Sequence, residues 1–185
     1  VEDLLALARL DGGTARRREA VDLSGVVREV AGRVAAPRVA LRVAAAPGIE
    51  VRGDAEGLAR AVQNLLDNAL RHAATRVEVS LRTEGALAVL AVADDGPGVP
   101  AADRERVFER FARLDDARSR DAGGTGLGLA IVREVVRAHG GEAALEDGAP
   151  GARFVAWLPA MRTGAPPGPG SPAGPVTAAR RAAGA

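Results

Sequence analysis

Ten consecutive residues, Gln63 to His72, read Q-N-L-L-D-N-A-L-R-H and carry side-chain amides, a guanidinium and an imidazole. At about 100° per helical residue, Asn64, Asn68 and Arg71 fall within roughly one 60° sector, with His72 at its edge. Leu58, Val62, Leu65, Leu66, Ala69 and Ala73 take the other side, as the i, i+3, i+4, i+7 stripe of a helix packed on a core. Amide oxygens ligate hard cations such as Mg²⁺, and an arginine one turn on can meet phosphate oxygens. This points to a nucleotide site. A helix whose amides are merely solvated has the same spacing, so the rest of the chain must decide.

Two further segments carry chemistry. Asp94 to Gly98, D-D-G-P-G, follows the apolar run Leu87 to Ala93. A carboxylate at a strand end can accept a hydrogen bond from an exocyclic amine, while Gly-x-Gly lets a flat ring approach the backbone. That suits adenine, although the same residues also make an ordinary turn. Gly123 to Leu129, G-G-T-G-L-G-L, stands just before a helical pattern. Backbone N–H groups there, aided by the helix dipole, form a phosphate cradle. The dinucleotide-binding fingerprint requires a preceding strand. This loop instead follows the charged stretch from Arg113, so that reading fails.

The elements that must position these groups follow from periodicity and punctuation. Val1 to Leu10 reads as the end of a helix stopped by Asp11-Gly12-Gly13, and Thr14 to Arg18 as a basic connector. Ser24 is expected to cap a helix through Val26, Val27, Val30 and Val34 that ends before Pro37. Val39, Leu41 and Val43 alternate as a strand, and Ile49 and Val51 as a second, short one. Asp54 is the expected N-cap of the amide-bearing helix. Val77, Val79 and Leu81 alternate, Thr83 to Ala86 turns, and Leu87 to Ala93 returns as a central strand. A short helix over Asp103 to Phe111, a second amphipathic helix over Leu127 to His139, and strands around Ala143 to Leu145 and Arg153 to Leu158 complete the core. His139 is expected to be a helix C-terminal cation favoured by the dipole. From Met161 on, Gly, Pro, Ala and Ser dominate, and a disordered tail is expected.

Composition excludes several classes. With 185 residues and 47% hydrophobic content, the chain can bury one core and carry a tail. Aromatics are 2% and the formal net charge is +1, so neither base stacking nor an electrostatic footprint for nucleic acid is present. There is no cysteine, hence no disulfide, thiol catalysis or Cys-based zinc site. Every one of the 25 basic residues is arginine, which rules out a P-loop and the strand lysine of the serine/threonine kinase fold. The longest apolar run, Ala86 to Ala93, is far short of the ~20 residues of a membrane span. No signal peptide is visible, so a soluble chain in the cytoplasm is expected, alone or within something larger.

Taken in order, the amide helix, the Asp-Gly-Gly turn, the phenylalanine pair and the Gly-Thr-Gly loop resemble the N, G1, F and G2 boxes of the ATP-binding catalytic domain of bacterial sensor histidine kinases, within the Bergerat-fold superfamily. The resemblance covers about Val21 to Pro159. It implies an α+β fold: a two-layer α/β sandwich with a mixed, mostly antiparallel sheet and helices on one face. It divides the chain into the end of a dimerisation and acceptor helix (1–13), a linker (14–20), the kinase domain (21–159) and the tail (160–185).

By that resemblance Asn68 ligates Mg²⁺, Asn64 contributes to the ion or phosphate site, Arg71 reaches phosphate and His72 flanks the nucleotide. Asp94 reads the adenine amine, and Gly96 and Gly98 shape its pocket. Phe108 and Phe111 anchor the ATP lid, while Gly124, Thr125, Gly126, Leu127 and Gly128 wrap the phosphates. Arg113, Arg118 and Arg120 are candidates to touch the γ-phosphate, against the default of a solvated surface. Superfamily ATPases carry Glu where this chain has Asn64, and an amide cannot take a proton from water. Phosphate is then expected to pass to an imidazole. Relatives carry that histidine in an H-E/D motif on a preceding helical hairpin, whereas this chain has only His72 and His139, both inside the catalytic domain.

The implied partners are ATP, a histidine-bearing dimerisation domain in cis or in trans, and a response regulator, with no nucleic acid. The implied whole protein is homodimeric and of the kind that can be membrane-anchored with this portion in the cytoplasm. Two alternatives stay open: an ATP-binding regulatory module without transfer activity, and an anti-sigma-type serine kinase, which Asn64 disfavours. A further departure is Gly151-Ala152-Arg153-Phe154, where relatives more often show Gly-Thr before the aromatic.

Overall fold

Alternation along Arg76–Glu84 puts Val77, Val79 and Leu81 on one face, and all three are buried. Gly85, at φ +59°, and Ala86 form the two-residue turn that pairs Glu84 with Leu87, a connection whose twist suits a tight hairpin. The returning strand is apolar on both faces because it is central. The computed structural model describes residues 18–34, 38–112, 126–148 and 150–161. Among them the order is β1 (Glu19–Asp22), α1 (Leu23–Gly32), β2 (Ala40–Ala45), β3 (Glu50–Gly53), α2 (Ala55–His72), β4 (Arg76–Glu84), β5 (Leu87–Asp94), α3 (Gly128–Ala138), β6 (Glu142–Asp147) and β7 (Ala152–Pro159).

Five strands form one sheet in the order β2-β4-β5-β7-β6, with β2–β4 parallel and the other pairs antiparallel. β1 and β3 form a separate antiparallel ribbon. The helices contribute Leu23, Leu58, Leu65, Leu66 and Ile131 to the main core, each at most 2% exposed, opposite Val77, Leu81, Val92 and Leu158 of the sheet. Burying a Leu or Ile side chain contributes about 1.5–3 kcal/mol, so this layer contact dominates the fold. A smaller cluster of Val89, Ala91 and Val155, flanked by Leu87 and Trp157, lies apart from that core. The architecture is the expected two-layer sandwich with a mixed, mostly antiparallel sheet.

Several local expectations are corrected. Ser24 does not cap α1; the cap is Asp22, whose carboxylate accepts from the Gly25 N–H at 2.9 Å. Ser24 is fully buried, donating through Oγ to the Ala46 carbonyl at 2.7 Å and accepting from the Ile49 N–H at 3.0 Å. α1 also ends at Gly32, earlier than Pro37 requires. The segment Asp103 to Phe111 is not one helix but holds the shorter 3₁₀ turns Ala101–Asp103 and Arg106–Phe108. Glu19 and Ala20, expected in the linker, already belong to β1. Ala160 and Met161, expected in the tail, still donate their N–H groups to the Ala86 and Glu50 carbonyls at 2.9 and 2.7 Å. The expectations for 1–13, Thr14 to Arg17 and the tail from residue 162 fall outside the described residues. No helix among the described residues is long and apolar enough to cross a membrane.

Candidate functional site

Asp54 caps α2 as expected, accepting from the Gly57 N–H at 3.2 Å. The helix then buries Leu58, Ala61, Val62, Leu65, Leu66 and Ala69, which turns Asn64, Asn68, Arg71 and His72 away from the core. Arg71 and His72 are exposed at its C-terminal end, and Asn64 and Asn68 are half-buried. The Asn64 Nδ2 atom is buried with no hydrogen-bond partner among the described residues. Because a carboxamide can flip, that position offers oxygen as readily as N–H. The start of α3 lies against it: a side chain at Gly128 would meet the Asn64 amide oxygen at 3.5 Å.

At the other end of this face β5 delivers Asp94, which is 5% exposed. Its Oδ1 accepts from the Gly96 N–H at 2.9 Å and from the Ala152 N–H at 3.5 Å. Oδ2 is buried with no partner among the described residues. A buried carboxylate oxygen left unpaired costs free energy unless a donor reaches it. Two glycines make the setting possible. A Cβ on Gly96 would stand 2.2 Å from the His72 carbonyl oxygen, so only glycine lets the turn meet the end of α2. Gly151, at φ +101°, passes so close to β5 that a Cβ would lie 1.8 Å from the Asp94 carbonyl oxygen. Gly98, at φ +74°, completes the turn.

Asp95 holds this turn to the loop after α2. Its carboxylate accepts from the Thr75 hydroxyl and from the N–H groups of Ala74, Thr75 and Arg76 at 2.9–3.2 Å. The Thr75 hydroxyl and then these N–H groups hold its carboxyl well below the usual carboxylate range. A depressed carboxyl contributes stability that is present above the ordinary carboxylate pKa and is lost as pH falls toward the folded value. Asp95→Asn is therefore expected to melt below the wild-type chain at neutral pH, with the gap closing in strong acid. Melts across pH that show a constant gap would contradict this.

Phe108 is 4% exposed and meets Phe154 edge-on with ring centroids 6.2 Å apart. The Arg133 guanidinium lies 5.2 Å from the Phe108 centroid and pairs with Glu105 at 2.5 Å. Phe111 is 63% exposed and has φ +64°, a strained value for an aromatic residue. Its N–H donates to the Gly126 carbonyl at 2.9 Å, and a Cβ on Gly126 would stand 2.9 Å from the Phe111 Cα. The two phenylalanines are thus unlike: one packs the core, the other stands at a backbone neck. Leu127 is 3% exposed and belongs to the core, so only its backbone is available to a ligand. Arg113, Arg118, Arg120, Gly124 and Thr125 lie outside the described residues.

The structure therefore gathers Asn64 with Gly128, and His72 with Asp94, Gly96 and Gly98. Eight residues of α2 separate the two ends, about 12 Å of helix axis. That length suits a base at the Asp94 end and a phosphate chain along Asn68 toward Asn64. Among the described residues no group of three or more His, Cys, Asp or Glu side chains is placed to hold a metal. The oxygen donors that the helix face itself offers are carboxamides, which fit a hard, largely hydrated cation such as Mg²⁺. Sequence reasoning missed Asp95, Gly151 and Arg133 as supports of the site. Only Gly151 left a signal, as a glycine just before the last strand.

Residues 53–162 match the family described as histidine kinase-, DNA gyrase B- and HSP90-like ATPase. The probable sensor histidine kinase TcrY of Mycobacterium tuberculosis is 46% identical over 165 residues, covering 86% of this chain and 34% of that protein. The chain spans about a third of the length of the curated relatives it matches. Among solved structures, the mycobacterial sensor histidine kinase MprB superposes with a TM-score of 0.68 at 38% identity, over 77% of this chain and 97% of that one. Full-length ShkA in complex with AMPPNP superposes with a TM-score of 0.70 at 30% identity, over 86% of this chain and 35% of that one.

Proposed function

The chain belongs to the histidine kinase-, DNA gyrase B- and HSP90-like ATPase family, as an ATP-binding catalytic domain of the sensor histidine kinase type, and from that membership we propose that it transfers the ATP γ-phosphate to a histidine on a separate acceptor helix. The observation that carries the reading is the buried Asp94 Oδ2, which lacks a partner among the described residues beside a turn that glycine alone can form. It accepts the N–H of the adenine amine. Gly96 and Gly98 keep side chains off the ring, and the face of α2 leads from there to the phosphates. The AMPPNP bound by ShkA is a nucleotide of the same chemistry.

Asn68, with Asn64 beside it, would hold Mg²⁺, which supplies charge neutralisation on the phosphate oxygens. Arg71 approaches the phosphates from the last turn of α2, and the N–H groups around Gly126 and Gly128 complete the cradle. Asn64 offers an amide where a hydrolase needs a proton acceptor, so the chain positions phosphate without activating water. The nucleophile comes with the partner. That partner is a dimerisation and acceptor helix bearing histidine, in cis or in trans, and a response regulator takes the phosphate next. The whole protein is then a homodimeric sensor with this domain in the cytoplasm.

Adding Mg²⁺, γ-labelled ATP and an acceptor hairpin with an H-E/D motif should put label on the hairpin histidine. The chain alone should turn over little ATP. Rapid steady-state hydrolysis with no phosphohistidine would sink the reading.

A further inference from the structure

His139, expected only as a helix C-terminal cation, is bonded through both ring nitrogens at the end of α3. Its Nδ1 meets the Val135 carbonyl at 2.7 Å, so that nitrogen donates, and its Nε2 accepts from the Asp54 N–H at 2.9 Å. The contact joins residues 85 apart in sequence. Gly53 packs on the ring so tightly that a Cβ there would stand 2.0 Å from the imidazole Cδ2. The imidazole therefore fastens the C-terminal end of α3 to the N-terminal cap of α2.

The same helices meet again at the phosphate end, where Gly128 lies against Asn64. Ten residues of α2 separate Asp54 from Asn64, and eleven of α3 separate Gly128 from His139. At 1.5 Å per residue these spans are about 15 Å and about 16 Å. The helices run antiparallel between two matched contacts, so the position of one fixes the register of the other. We infer that His139 is a positioning residue: its bond to the Asp54 N–H sets how far α3 slides along α2, and with it the placing of the phosphate loop at Gly128 against Asn64. The adenine end is held separately, by Gly96 on the His72 carbonyl and by Gly151 on Asp94.

This rests on the proposed ATP reading and makes a narrower claim. His139→Ala should weaken Mg²⁺–ATP binding about tenfold, the scale of losses seen when a supporting hydrogen bond behind a ligand is removed. Adenosine, which needs only the Asp94 end, should bind as before in an NMR titration. His139→Gln, whose Oε1 can accept the Asp54 N–H, should recover most of the ATP affinity. Gly53→Ala, which displaces the ring without removing it, should match His139→Ala, and the double variant should be no worse than either. Equal losses for adenosine and ATP, or no recovery in His139→Gln, would reduce His139 to a structural fastener and overturn the inference. Unchanged ATP affinity in both single variants would overturn it as well. Should His139→Ala fail to fold, the Gly53→Ala and His139→Gln pair still decides. A wild-type chain that binds no ATP would overturn the functional reading itself, a result distinct from any of these.

Discussion

Asp94→Asn is expected to weaken ATP binding by about 2–3 kcal/mol, roughly 100-fold in Kd. The substitution keeps an oxygen for the Gly96 N–H, which the native Oδ1 accepts at 2.9 Å, and so preserves the turn. The buried position now filled by the unpartnered Oδ2 becomes an NH₂. A donor then faces the donor on adenine. Selectivity should fall with affinity, because the new amide can donate to the carbonyl that guanine carries at the corresponding place. Calorimetry with ATP and GTP, beside a melt showing an intact fold, reads both effects. Full ATP affinity with unchanged preference over GTP would show that Asp94 does not read the base.

The second large effect is expected at Asn68. Asn68→Ala should bring ATP affinity in Mg²⁺ down to the value measured with chelator, and phosphoryl transfer should drop about 100- to 1000-fold. The side chain is half-buried on the face of α2 opposite Leu65, Leu66 and Ala69. Truncating it removes a ligand without opening a cavity, so the melt should move little. Adenosine binding should be untouched, since that end is built from Asp94 and its glycines. A variant that keeps the full Mg²⁺ dependence of the wild type would move the cation site elsewhere. The chelator comparison also tests Mg²⁺ removal in the native chain, where ATP should lose affinity and adenosine should not.

What the sequence makes legible here is local. α2 announces itself through Asp54 at the cap, a 3.6-residue apolar stripe and Arg71 and His72 in the last turn, all of which the structure bears out. The β4–β5 hairpin is legible from alternation and from a glycine at the first turn position. Errors arise where a long-range partner outbids a local one. Ser24 looks like a cap, but its hydroxyl is taken by the Ala46 and Ile49 backbone, and Asp22 does the capping. Asp103 to Phe111 has helical spacing, yet Phe108 is drawn to Phe154 and Arg133, and only 3₁₀ turns remain.

The site divides in the same way. Asn64, Asn68 and Asp94 are recognisable because their types and spacing carry chemistry. Their supports are not, because each acts across the fold. Gly151 matters only through the Asp94 backbone, 57 residues earlier, and His139 only through Asp54. Neither constraint has a periodicity to betray it. A histidine before Gly140-Gly141 reads as a helix end until a second helix is laid against it.

On the proposed function, this domain hands phosphate to a histidine that it does not itself present. The most direct measurement follows the γ-label when the chain, Mg²⁺ and ATP are mixed with an acceptor hairpin bearing an H-E/D motif. An acid-labile label is expected on the hairpin histidine, absent when that histidine is replaced, with little free phosphate released by the chain alone. Free phosphate as the dominant product, with an unlabelled hairpin, would contradict it.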